Sequence, residues 1–301
     1  MSDLESTDVA GAGLLRRDSE KVSGSLPPLL VEAQQIVNSL AFGVHGRRRS
    51  GVGETFWQYR QAEPGDSLSD IDWRRSAGTD QLYVRETEWE AAESVVLWCD
   101  QAQSMAYKSS SMEWTKADRA RLLTMASAVL LNRGGERFGL FDSDARNPRG
   151  GETQLLRIAT LLGQSRDDLP DFGAPPGDPM PKAGKAVFFS DFMGPRDAVF
   201  PALLNAAGQG TGGVFVMILD PVEEDFPFRG RTRFQSIGRT ISHETDQAAS
   251  LRAAYLERLE ERRADLANVA ARAGWQLLLH RTDESPRRPL VKLHGILGGA
   301  R

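Results

Sequence analysis

The chain has 301 residues, a mass of 33.1 kDa, a formal net charge of -4 at pH 7 and a pI near 5.7. This length suits one large α/β domain with an elaboration, or two small domains, and 40% hydrophobic residues indicate a folded core. The acidic balance disfavours wholesale nucleic-acid binding, and a single cysteine, Cys99, excludes a disulfide framework and a cysteine-rich zinc site.

Residues 1–25 are polar, and we expect them to form a disordered tail. They lack the apolar segment of a secretory signal. No apolar run in the chain approaches the roughly 18 residues that a membrane helix needs. We therefore expect a cytoplasmic protein without a membrane span.

Residues 26–91 predict an N-terminal helix followed by a β elaboration. Apolar residues recur at helical spacing after Pro27, and the stretch from Thr55 alternates aromatic and polar residues like a strand. A turn at Gly78 precedes a second strand. Trp73, between these strands, is expected to anchor a loop in the core.

From residue 92 to 301, strands alternate with helical segments, which predicts an α/β domain with a doubly wound, mostly parallel sheet. The stretch SVVLWC is uninterruptedly apolar, as in a strand covered on both faces, and Cys99 within it is expected to be buried. A proline-rich stretch from Ser165 to Gly184 is expected to be a surface loop. The predicted strands begin at Ser94, Arg137, Lys185, Gly213 and Trp275, and the predicted helices cover 114–131, 153–164, 195–207, 246–273 and 287–297.

Aspartates end three of these strands, at Asp100, Asp191 and Asp220, and Asp142 ends a fourth. In an open α/β sheet, ligands bind beyond the carboxyl ends of the strands, near the point where the strand order reverses. Grouped carboxylates are the oxygen ligands that Mg²⁺ or Mn²⁺ prefers.

Two charged stretches could bind a partner or simply face solvent. Arg47, Arg48 and Arg49 lie among glycines without the lysine ending of a phosphate-binding loop. A solvated basic turn or a docking patch for an acidic partner is therefore favoured over a nucleotide site. Nucleic-acid binding by these arginines is a weaker alternative. The acidic residues 223–225 are interpreted as a solvated loop end.

An ordered set of residues resembles the family catalogued as domain of unknown function 58. Two later motifs, SDF from Ser190 and PFRG from Pro227, extend the resemblance, which starts at Leu26 and covers most of the chain. The set comprises Gly51, Gly53, Glu54, Tyr59, Arg60, Gly65, Asp66, Ile71, Asp72, Trp73, Ala77, Leu82, Tyr83, Val84 and Glu90.

That family is similar to von Willebrand factor A domains, in which an aspartate-serine loop, a threonine and a second aspartate hold a divalent metal. The resemblance implies a fold of this type and a degenerate metal site for Mg²⁺ or Mn²⁺. Ala102 stands where the middle serine of the loop is expected. Alternatively, the first aspartate and the serine cap the following helix. The implied metal ligands are Asp100, Ser104, Thr153 and Asp191.

The resemblance also implies a function. It indicates a bacterial, non-catalytic adaptor that acts with a MoxR-type AAA+ ATPase in the assembly or activation of protein complexes. Arg47, Arg48, Arg49 and Asp72 are the predicted partner-binding residues. The alternative is a Mg²⁺- or Mn²⁺-dependent phosphohydrolase that uses the strand-end aspartates, but no nucleophile-base pair accompanies them.

Overall fold

Strands and helices alternate along most of the chain. The computed structural model describes residues 26–41, 55–63, 71–78, 81–88, 92–164, 169–180, 184–209, 211–235 and 242–298. The strands are β1 (Thr55–Gln61), β2 (Tyr83–Glu88), β3 (Ser94–Cys99), β4 (Arg137–Leu140), β5 (Lys185–Ser190), β6 (Gly212–Leu219), β7 (Thr232–Gln235), β8 (Ser242–Thr245) and β9 (Trp275–Arg281). The helices are α1 (Pro28–Ala41), α2 (Trp73–Ser76), α3 (Lys116–Arg133), α4 (Glu152–Gly163), α5 (Arg196–Ala207), α6 (Pro221–Asp225), α7 (Ala248–Arg272) and α8 (Arg287–Gly298).

Five parallel strands form the central sheet, in the order β4-β3-β5-β6-β9. The chain enters at β3, moves to β4 on one side and then returns to β5 on the other side. The strand order therefore reverses between β3 and β5, the place where α/β sheets bind ligands. The predicted α/β fold with a doubly wound parallel sheet is confirmed.

Apolar side chains cover both faces of this sheet. Along β3, Val95, Leu97 and Cys99 join one buried cluster, which also contains residues of α1, α3, α4 and α8. The alternate residues Val96 and Trp98 join a second cluster with residues of α5 and α7. The uninterrupted apolar strand and the buried cysteine are thus confirmed, because each strand face packs against its own helices.

The chain divides into two compact units. The larger comprises Met1–Gly46 and Glu93–Arg301, and the smaller comprises Arg47–Ala92. Helix α1 contributes Leu30 to the core of the larger unit. The predicted domain boundaries at 25/26 and 91/92 stay predictions, and the predicted tail of residues 1–25 lies outside the described residues.

The smaller unit contains the antiparallel pair β1–β2 and the short helix α2. Trp73 opens α2 and is 57% exposed, so the prediction that it anchors a loop in the core is wrong. The single helical turn begins at Trp73 because the Asp72 carboxylate accepts a hydrogen bond from the amide of Arg75 at 3.0 Å.

Three elements of the larger unit were not predicted from the sequence. Helix α6 has five residues, and the antiparallel strands β7 and β8 have four residues each. Segments of this length are too short to show the periodicity on which a sequence-based prediction depends.

Candidate functional site

Two strand-end aspartates lie together where the strand order of the sheet reverses. Asp100 follows β3 and Asp191 follows β5, and these two strands pair in parallel. The Asp100 amide donates to the carbonyl of Phe189 at 2.9 Å, and Ser190 Oγ donates to Asp100 Oδ2 at 2.6 Å. The sheet therefore brings both carboxyl groups to one edge, which we call the carboxyl edge.

Main-chain atoms enclose the carboxylate of Asp100. The residue is 2% exposed, and the amide of Ala102 donates to its Oδ1 at 2.8 Å. A Cβ atom built on Gly173 would lie 2.1 Å from both carboxylate oxygens, so only glycine fits at this position. Burial and the charge of Asp191 raise the pKa of Asp100 to about 6, against the lowering effect of its hydrogen bonds.

The segment of residues 169–173, here called the covering loop, is tied to the turn that follows Asp100. The amide of Gln103 donates to the carbonyl of Pro170 at 2.9 Å, and the amide of Ser104 donates to that of Asp171 at 2.9 Å. The proline-rich stretch that we predicted as a surface loop therefore forms part of the carboxyl edge.

A buried ammonium group holds Asp191. Lys116 Nζ donates to Asp191 Oδ2 at 2.8 Å and to Glu223 Oε1 at 2.6 Å, and Lys116 is 2% exposed. The amide of Met193 donates to the second oxygen of Asp191 at 3.0 Å. Burial alone lowers the pKa of Lys116, but the charges of Asp191 and Glu223 raise it above its ordinary value. The lysine is therefore positively charged at neutral pH.

The acidic residues after β6 also differ from their predicted role. Glu223 is largely buried and bonded to Lys116, while Glu224 forms ion pairs with Arg263 and Arg281. The interpretation of this stretch as a solvated loop end is wrong for these two glutamates, because both side chains are held in ion pairs within the larger unit.

The third strand-end aspartate, Asp220, organises the main chain around it. The residue is fully buried and caps α6 by accepting from the amide of Val222 at 2.9 Å. Its Oδ2 accepts from the amide of Ser109 at 2.8 Å and from Ser109 Oγ at 3.1 Å. Asp220 is thus engaged by helix capping and by a long-range contact.

Ser104 lies close to Asp100 but makes no bond to it. It belongs to the 3-10 turn Gln103–Ala106, and its buried Oγ has no hydrogen-bond partner among the described residues. The N-cap position of that turn is Ala102, which offers no side-chain hydrogen bond. The alternative role of Ser104 as a cap is therefore not seen in this turn.

Thr153 is not brought to the carboxyl edge. After β4 the chain doubles back, so that Arg149 pairs antiparallel with Phe138 and the amide of Gly151 donates to Asn132 Oδ1 at 2.8 Å. Asn132 precedes β4, so the exposed Thr153, in the first turn of α4, lies at the edge where β4 starts. The threonine that the resemblance implies as a ligand therefore lies at the opposite edge of the sheet.

The other predicted residues are Asp142, Asp72 and the arginines at positions 47–49. Asp142 is exposed in a turn with a left-handed φ of 59°. Asp72 caps α2 in the smaller unit. Arg47, Arg48 and Arg49 lie outside the described residues, and their role in partner binding stays a prediction.

These residues do not fit a divalent metal ion. An ammonium group is bound to Asp191, the main chain of Gly173 lies against Asp100, and Thr153 is at the other edge. The described parts of the chain contain no group of three or more His, Cys, Asp or Glu side chains that could hold a metal ion. The arrangement is suited to holding the ends of β3, β5 and β6 together.

Lys116 and Gly173 are the residues that the sequence analysis missed. Lys116 has a weak local signal, whereas Gly173 has none. Thr115 and Asp118 form a capping box that fixes Lys116 as the first residue of α3. The spacing of Asp220 and Glu223 likewise forms a capping box. No short-range pattern indicates that Gly173 lies against a carboxylate.

The fold and this edge define a doubly wound α/β protein whose strand-end carboxylates are paired internally. The chain belongs to the family described as Protein of unknown function DUF58, which it matches over residues 58–265. The resemblance found in the sequence is thereby confirmed.

Relatives of similar length occur in mycobacteria. The chain is 26% identical over 287 residues to the uncharacterized proteins Rv1480 of Mycobacterium tuberculosis and Mb1516 of Mycobacterium bovis. The alignments cover 91% of this chain and 89% of each relative. No solved structure matches the chain. Within the described residues, no helix has the length and apolar character needed to cross a membrane.

Proposed function

We propose that this protein is a non-catalytic interaction protein that acts in the cytoplasm with a MoxR-type AAA+ ATPase in assembling or activating other protein complexes. Membership of the DUF58 family supports the choice of partner, through the pairing that the resemblance implies. The carboxyl edge supports the absence of catalysis.

The observation that carries this proposal is the engagement of the three strand-end aspartates. Asp100, Asp191 and Asp220 are 2%, 1% and 0% exposed. Each is hydrogen-bonded to main chain or to a side chain of the protein itself. A phosphohydrolase needs such carboxylates in contact with a metal ion or the substrate. Their internal pairing favours a structural role, and no contact in the described residues favours hydrolysis.

The partner-binding surface that we propose is the arginine cluster of residues 47–49, together with Asp72. Three adjacent guanidinium groups suit an acidic surface, and charges at the rim of an interface mainly affect association. The fully buried carboxylates of the carboxyl edge are not part of this surface.

The test is capture of a purified MoxR-type ATPase from the same organism by the full-length chain. Replacing Arg47, Arg48 and Arg49 together by alanine should weaken capture about tenfold, because three rim charges are lost. The matched control replaces three arginines elsewhere, Arg258, Arg272 and Arg287, which are all exposed. This control should bind like the unmodified chain.

Three outcomes would contradict the proposal. If the unmodified chain captures no ATPase, the partner is wrong. Equal capture by the two triple variants would show that the interface does not include residues 47–49. Hydrolysis of phosphate esters with Mg²⁺ or Mn²⁺ that is lost in Asp191→Asn would establish catalysis instead.

A further inference from the structure

We infer that the ammonium group of Lys116 is a built-in cation: it takes the place of a divalent metal at the carboxyl edge, so that the protein folds and holds this edge together without a metal ion. This inference concerns the edge itself and does not depend on the partner named above.

The ammonium group of Lys116 occupies a position between two carboxylates. Lys116 Nζ lies 2.8 Å from Asp191 Oδ2 and 2.6 Å from Glu223 Oε1, so it bridges the ends of β5 and β6. Asp191 is one of the four residues that the family resemblance implies as metal ligands. The same oxygen cannot contact a metal ion while the ammonium group occupies this position.

The backbone around Lys116 fixes the lysine in place. Thr115 caps α3, and the amide of Lys116 donates to the carbonyl of Tyr107 at 3.2 Å. The ammonium nitrogen lies 5.8 Å from the centre of the Tyr107 ring, a cation–π distance. The lysine therefore has a fixed backbone, a buried side chain and partners on several sides, unlike a mobile surface charge.

The charge balance of the edge also requires a cation. Without one, the buried Asp191 and the largely buried Glu223 would be strongly disfavoured as carboxylates, and a single ammonium group supplies both hydrogen bonds and positive charge. A divalent ion would need Asp191, Glu223 and Asp100 to be free and ionised.

A catalytic lysine is the main competing interpretation. A lysine nucleophile or base needs a lowered pKa, which desolvation next to other cations provides. Lys116 instead donates to two carboxylates, Asp191 at 2.8 Å and Glu223 at 2.6 Å, and such contacts stabilise the charged ammonium group. The geometry and the charge both indicate a permanent cation.

The first test measures metal binding directly. The full-length chain is freed of metal with a chelator, and equilibrium dialysis and thermal melting are then followed with Mg²⁺, Mn²⁺ and Ca²⁺. We expect no stoichiometric binding at the edge and a melting temperature that is the same in chelator and in metal. One equivalent of metal that is bound by the unmodified chain and lost in Asp191→Asn would overturn the inference.

The second test removes the ammonium group. Lys116→Met keeps most of the side-chain length but leaves Asp191 and Glu223 unpaired, so it should lower the melting temperature by several degrees. Adding Glu223→Gln should recover part of this loss, because it removes one of the two unpaired charges. The matched control is Lys108→Met at an exposed lysine, and it should melt like the unmodified chain.

Two further results would contradict the inference. One is that Lys116→Met melts no lower than Lys108→Met. The other is that Glu223→Gln lowers the melting temperature of the Lys116→Met variant further. The metal-binding and melting measurements do not use the ATPase. A failure of this inference can therefore be told apart from a failure of the proposed function.

Discussion

Replacing Gly173 by alanine tests the covering loop most directly. The added methyl carbon would lie 2.1 Å from the carboxylate oxygens of Asp100, and real Cβ contacts stay above 3.0 Å. The carboxylate or the loop must therefore move by at least 0.9 Å, the difference between these distances. Movement of Asp100 disturbs its bonds to Ala102 and Ser190. We expect a loss of about 1–3 kcal/mol in the free energy of unfolding, the usual cost of overpacking.

The same stretch of chain supplies the control. Gly177 has no atom within 4 Å of an added Cβ and no left-handed backbone. Gly177→Ala should therefore be neutral or stabilising by about 0.4–1 kcal/mol, because alanine restricts the unfolded chain. Both variants are compared by urea unfolding, followed by tryptophan fluorescence and circular dichroism. Equal midpoints for the two variants would refute the close contact between Gly173 and Asp100.

Three further changes test the buried charges. Folding raises the pKa of Asp100 from 3.8 to about 6, so the contribution of Asp100 to stability is greatest below pH 4 and falls as the pH rises through 6. Asp100→Asn should remove up to about 3 kcal/mol of this fall, as measured by urea unfolding at several pH values. The pH dependence that His280 causes runs in the opposite direction. Burial lowers the pKa of His280 from 6.5 to about 4, so its contribution to stability is present above pH 6.5 and is lost as the pH falls towards 4. His280→Leu should flatten this loss, and an unchanged pH profile of stability would contradict the assignment. Lys116→Met should reduce the free energy of unfolding by about 3–5 kcal/mol, because it leaves buried carboxylates unpaired, whereas Lys108→Met should change it by less than about 0.5 kcal/mol.

The strands and long helices were predictable because their patterns are local. The apolar run ending at Cys99 and the predicted helix 246–273 correspond to β3 and α7. The meeting of Asp100 and Asp191 was also predictable, since parallel strands with short crossovers put their carboxyl ends at one edge. These inferences need only periodicity and the rules of strand connection.

The side-chain contacts at the carboxyl edge could not be predicted from local patterns. Lys116 meets Asp191 across 75 residues and Glu223 across 107 residues, and no local pattern specifies such a contact. Thr153 was misplaced because the antiparallel return after β4 is a single bridge, which leaves no strand-like signal. Trp73 was placed in the core on residue type alone, although a one-turn helix can leave its first side chain in solvent.

The bond network of Lys116 also has a consequence for how the chain assembles. The ammonium group of Lys116 joins α3 to Asp191 and Glu223, which are synthesised much later. A growing chain that ends before Glu223 therefore lacks one of the two carboxylates that accept hydrogen bonds from this lysine. Closing such distant contacts is a slow step in folding, and truncated or partly folded chains should remain open around α3. Lys116 should therefore reach its full set of bonds only after the segment that contains Glu223 has been synthesised and has folded.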